Sequence, residues 1–101
     1  MYSNLGLMYS NHLQGTSDCD AGAPPCYEDL LTEITYGGDH SPFIEVQESL
    51  SVVSRLKAVL QAAPAQFSGF LGSDGEPVWA DIAIAGHSQG SSVAMSISYR
   101  E

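Results

Sequence analysis

Ile82-Ala83-Ile84-Ala85-Gly86-His87-Ser88-Gln89-Gly90-Ser91-Ser92-Val93-Ala94-Met95 is the stretch that decides how this chain is read. A short apolar run ends in Gly-x-Ser-x-Gly, and a segment of small residues at helical spacing follows. Strand, sharp turn, helix is the order that a nucleophile elbow requires. A serine hydroxyl is a weak nucleophile, so it must project from the main chain toward a base and an incoming carbonyl. The turn that does this holds the serine at strained backbone angles and brings strand and helix close together. Side chains at Gly86 and Gly90, two positions either side of Ser88, would collide there. The helix starting near Gln89 aims its first N–H groups at the same point, and the Gln89 N–H can face a developing oxyanion. The alternative is a buried strand leading through a glycine turn into a helix, with Ser88 a plain N-cap.

Composition bounds the rest. The 101 residues make one domain at most, and an α/β enzyme usually needs more strands than they supply. Twelve acidic residues against three basic ones (Arg55, Lys57 and Arg100) give a net charge of −9. No basic patch exists, which counts against nucleic acid and anionic membranes as partners. No apolar run approaches the ~20 residues of a membrane span, and the N-terminus shows no signal-peptide pattern. Cys19 and Cys26 sit in an acidic, proline-containing loop with no histidine or further cysteine at metal-ligand spacing. Neither a metal nor another cofactor is expected. A disulfide between the two would point to an oxidising, extracellular or periplasmic setting; the alternative is two free thiols in a cytosolic protein.

Outward from the central stretch, the chain alternates apolar segments with turn signals. Met1-Tyr2-Ser3-Asn4 recurs as Met8-Tyr9-Ser10-Asn11, two copies too short for a repeat architecture. Leu5 to Tyr9 reads as a buried strand, and residues 14–25 as a long loop. Tyr27, Leu30, Leu31 and Ile34 have helical spacing, stopped by Gly37-Gly38. The clearest helix is predicted over residues 42–62. Ser41 would cap it and Pro42 would occupy its first position; Val46, Leu50, Val53, Leu56 and Leu60 form its apolar stripe, and Pro64 marks its end. That stripe calls for a sheet to cover it. Gly72-Ser73-Asp74-Gly75 is a turn, and Trp79 reads as a core or rim aromatic. A strand at 81–85 and a helix at 89–100 complete the expectation, the two strands running parallel across a right-handed crossover.

Taken together, several stretches resemble part of an α/β-hydrolase-superfamily serine hydrolase. They are Met8-Tyr9-Ser10-Asn11, Glu33-Ile34-Thr35-Tyr36-Gly37, Ser54-Arg55-Leu56, Pro77-Val78-Trp79 and, most specifically, Ala85-Gly86-His87-Ser88-Gln89-Gly90. More narrowly, the chain is similar to bacterial, often exported, lipase- or esterase-like proteins. The resemblance implies a partial α/β-hydrolase fold over residues 1–101, incomplete at both ends. It implies Ser88 as nucleophile, the Gln89 backbone N–H as oxyanion donor, and Gly86, His87 and Gly90 as the frame of the elbow. The substrate would be a small-molecule or lipid ester, hydrolysed through an acyl-enzyme by the intact parent. The family commonly has glycine where this chain has Ser91 and Ser92.

In that family the triad runs serine, acid, histidine along the chain. Here neither aspartate nor histidine follows Ser88, and Glu101 alone is acidic; His12 and His40 precede it and His87 adjoins it. The leading expectation is therefore an incomplete, inactive piece of a serine ester hydrolase. Against it stands a non-catalytic interaction module that keeps the elbow for packing alone. A third reading, a phosphate held at the helix N-terminus, lacks any Gly-rich phosphate-binding pattern or nearby lysine. An elbow serine takes a positive φ, so the backbone at Ser88 separates the first two.

Overall fold

Helix α1 (Pro24–Tyr36) is the element against which the other helices pack. Residues 5–7 and 24–101 are described by the structure, a computed structural model. Leu30 and Ile34, one helical turn apart, put a continuous apolar stripe of α1 into the core. The helix ends at Gly37, whose N–H donates to the Glu33 carbonyl at 2.8 Å and whose φ is 78°. This is a left-handed glycine cap. A Cβ at Gly37 would come within 2.8 Å of the Glu48 backbone nitrogen, so the cap also lets the next segment approach.

Glu33 organises that next segment. It is 1 % exposed, yet its carboxylate is fully engaged. Oε1 accepts from the backbone N–H groups of His40 (2.9 Å) and Ser41 (2.8 Å), and Oε2 accepts from Val46 N–H (2.8 Å). Gly38 and Val46 form an isolated antiparallel bridge across the same loop. The helix expected over 42–62 is therefore shorter. In a helix the Val46 N–H would bond the Pro42 carbonyl; here Glu33 takes it, and the Ser41 hydroxyl accepts from Phe43 N–H (3.2 Å) in a local turn. After a 3₁₀ turn at Glu48–Leu50, helix α2 runs over Val52–Ala62. Ser51 is its cap, with Oγ accepting from Ser54 N–H at 3.3 Å and donating to the Glu48 carbonyl at 2.8 Å. Leu50, assigned to the apolar stripe from sequence, is about half exposed, as is Phe43.

Beyond α2 the chain forms a small turn closed by Gly72 N–H to the Glu76 carbonyl (2.8 Å) and Val78 N–H to the Phe70 carbonyl (2.9 Å). Lys57 and Glu76 pair at 2.8 Å and tie this turn to α2. A 3₁₀ turn at Trp79–Asp81 leads into residues 82–87, and helix α3 spans Gln89–Arg100. The core joins Leu30 and Ile34 of α1, Val52 and Val53 of α2, and Val93 and Ile97 of α3, with Trp79 and Ile84 packed against it. Polar contacts fasten α3 to α1: Tyr27 OH to Ser92 Oγ (3.3 Å), Tyr36 OH to Glu101 Oε2 (3.2 Å) and Arg100 Nη2 to Thr32 Oγ1 (3.0 Å). The Arg100 guanidinium also lies 5.3 Å from the centre of the Tyr36 ring.

The α/β architecture expected from sequence, a partial α/β-hydrolase fold with parallel strands, is not what forms. Among the described residues there is no sheet, and the packing is helix on helix. Residues 81–85 begin inside a 3₁₀ turn and continue as unpaired chain, and Leu5–Leu7, the described part of the strand expected over 5–9, is unpaired as well. The physical reason is pairing. A strand exists only where a neighbour takes its N–H and C=O groups, and these two segments line one groove with no backbone hydrogen bond between them. Of the α2 stripe, expected to lie on a sheet, Val53 joins the core with Leu30 and Ile34 of α1, while Leu56 and Leu60 line the groove. The repeat of Met1–Asn4 at 8–11, the strand end at Tyr9 and most of the loop over 14–25 lie outside the described residues.

Candidate functional site

The groove ends at Ser88. Residues 82–86 are apolar, and Ile82 is extended (φ −112°, ψ 122°). The chain then tightens: Gly90 N–H donates to the His87 carbonyl and Ser91 N–H to the Ser88 carbonyl, both at 3.0 Å, while Ser91 Oγ donates to that same carbonyl at 2.6 Å. Ser88 sits at the N-cap of α3 with φ 56° and ψ −123°. It is the one non-glycine residue with positive φ among those described. Such a conformation costs about 1–3 kcal/mol and persists only where the surroundings enforce it. Gly86 makes room for it here. A Cβ at Gly86 would fall on the Gly90 carbonyl and 2.7 Å from the Ser91 nitrogen, so only bare backbone permits this crossing.

A serine kept as a cap would accept a hydrogen bond from the second or third helical N–H. The Ser88 side chain makes no such bond and is exposed at the groove end. The groove encloses about 1100 Å³ and its walls include Leu5, Val53, Leu56, Phe70 and Ile84. Gln89 opens α3, Gly90 lies in its first turn, and His87 precedes Ser88 on the groove rim, exposed.

The other residues singled out from sequence are scattered. His40 lies at the Glu33 loop, donating its backbone N–H to that carboxylate. Among the described residues, neither His40 nor His87 hydrogen-bonds Ser88. Glu101, the acid that follows Ser88, accepts from Tyr36 OH and serves the α1–α3 tie. His12 and Cys19 lie outside the described residues; Cys26 is disulfide-bonded. Among the described residues no three His, Cys, Asp or Glu side chains converge to hold a metal ion, and no helix is long and apolar enough to cross a membrane.

Two titrating groups are displaced, both away from Ser88. Burial pushes the Glu33 carboxyl up, but the N–H groups of Ser41, His40 and Val46, with the His40 charge, outweigh it and hold it below the ordinary carboxylate range. Burial, then the Glu101 carboxylate, pushes the Tyr36 phenol up. The role of Glu33 was missed from sequence, where it appeared only within a resembling stretch. The signal was present: an acid beside Leu30 and Ile34 on the buried side of a helix needs partners, and the turn-rich residues after Gly37 supply them. No protein-family model, curated protein or solved structure matches this chain.

Proposed function

We propose that Ser88 is the nucleophile of an acyl-transfer site acting on carboxylic esters, and that the esters are uncharged small molecules or lipids. One observation carries this reading: a serine at a helix N-cap, held at φ 56°, whose hydroxyl does not cap. The strain has no return in helix stability, and Ser88 is exposed in the lining of an apolar groove. In the proposed reaction, Ser88 Oγ attacks the ester carbonyl and the alcohol leaves. The Gln89 N–H at the start of α3 is the donor assigned to the tetrahedral oxyanion, helped by the positive end of the helix dipole. Water then releases the acid.

The described residues place no base on the Ser88 hydroxyl, so full turnover requires a proton acceptor from elsewhere. The competing reading, an interaction module that keeps this turn for packing alone, draws on that same fact. Imidazole supplied in solution separates them. The chain is incubated with p-nitrophenyl butyrate, with and without imidazole, and butyrylated peptides are mapped by mass spectrometry. Mapping is needed because imidazole itself releases nitrophenol. The expected result is butyryl transfer to Ser88 that rises with imidazole and is absent at that position in Ser88→Ala. No adduct on Ser88 at any imidazole concentration would leave the packing role alone.

A further inference from the structure

Residues 83–86 stand apart from the helices in what their backbone does. Ala83, Ile84, Ala85 and Gly86 form no backbone hydrogen bond, and neither do Leu5, Gly6 and Leu7, which line the same groove. Ala83, Ala85 and Gly86 are exposed. The same groove is lined by apolar side chains, Ile82 and Ile84 from the segment itself and Leu56 and Phe70 from elsewhere in the chain.

We infer that this groove receives an extended peptide segment of another polypeptide, apolar along its length and basic at its flanks, which adds as a β-strand along residues 83–86. The occupant follows from what the groove lacks. An ester held at Ser88 can rest on the apolar side chains of the groove lining, but an acyl chain laid along the backbone of residues 83–86 would leave their amides and carbonyls buried and unpaired. An extended backbone offers donors and acceptors in alternation, which is what an unpaired edge can use, while its alternate side chains meet the apolar wall. The charge of the occupant follows from the chain as a whole. At −9 overall, with Asp81 at the groove and neither lysine nor arginine lining it, the surface attracts basic flanks and repels a second copy of itself. The inference does not depend on whether Ser88 is nucleophilic.

Because the attraction resides in the main chain and in apolar alternation, it tolerates sequence, and a generic strand is a fair probe. The full chain is titrated with the synthetic peptide Lys-Thr-Val-Ile-Val-Thr-Lys. Binding is read from the fluorescence of Trp79, the one tryptophan, and from hydrogen exchange of the individual amides. The expected result is saturable binding that slows exchange within 83–86 by about tenfold or more, the equivalent of ~1.4 kcal/mol. Methylating alternate amide nitrogens of the peptide should weaken binding by a similar factor, and replacing its lysines by glutamates should weaken it severalfold. Absence of protection at 83–86, or equal binding of the methylated peptide, would overturn the proposal. So would protection that grows with protein concentration alone, which makes a second copy the occupant, or equal protection by phosphatidylcholine vesicles, which makes it a lipid surface. Equal binding of the glutamate peptide would remove the basic partner. Acylation of Ser88 is not read here, so either proposal can fail while the other stands.

Discussion

Ser88 and Glu33 show two ways in which one residue shapes this chain. At Ser88 the backbone is strained for about 1–3 kcal/mol. Glycine has no Cβ to strain, whereas alanine keeps it and loses the hydroxyl. Ser88→Gly should therefore be more stable than Ser88→Ala by about 1 kcal/mol in urea unfolding; an alanine variant as stable as the glycine one would mean that the turn is relaxed. At Glu33 a buried carboxylate holds three backbone N–H groups. Glu33→Gln should lower stability by about 1.5–3 kcal/mol near neutral pH, the range for hydrogen bonds to a charged group. The sign of the pH dependence follows from the depressed folded pKa. The carboxylate contribution is complete above the ordinary carboxylate range and is lost as pH falls through the lower folded value. The gap between the urea midpoints of wild type and Glu33→Gln should close on that acid side. A gap unchanged into acid would show that the charge contributes nothing.

Among the elements, α2 and the turn before α3 make the sharpest statements. Ser51, not Ser41, caps α2, so Ser51→Ala should cost about 1 kcal/mol, while Ser41→Ala should leave the helical signal of residues 52–62 in place. Backbone chemical shifts would decide it, and helical shifts across 42–47 would contradict the assignment. Gly86→Ala forces a methyl onto the Gly90 carbonyl and should destabilise by about 1–3 kcal/mol in the same urea assay. A neutral effect would mean that Gly86 and the first turn of α3 are not in contact there. These elements also show what was readable in advance. The spacing of Tyr27, Leu30, Leu31 and Ile34 marks α1, and the small residues after Gly90 mark α3, because local periodicity survives any tertiary setting. The Gly-x-Ser-x-Gly spacing likewise indicated a tight turn, since only glycine tolerates that approach. Two things were not legible. The start of α2 depends on Glu33, many residues away, taking the Val46 N–H. Strand formation at 81–85 depends on a neighbour, and apolar alternation cannot say whether one is present.

For the molecule as a whole, the described residues form three helices centred on α1 that bury a small core and leave an apolar groove open, with Ser88 in its lining. Carrying −9, the chain repels itself, so raising NaCl from about 0.01 to about 1 M should raise Tm by several degrees. A falling Tm would show that attractive pairs such as Lys57–Glu76 outweigh the repulsion. The central claim is that this fold, and not serine chemistry in general, singles out Ser88. The chain contains many other serines, several of them exposed, and they serve as internal controls. The most direct measurement is the site-resolved rate of butyryl transfer to every serine in one sample, with imidazole present, in buffer and again in denaturing urea. The account predicts that Ser88 reacts about tenfold or more faster than the other exposed serines in buffer, a preference of ~1.4 kcal/mol, and that urea erases the difference. Equal rates at all exposed serines in the folded chain, or a preference for Ser88 that persists in urea, would contradict it.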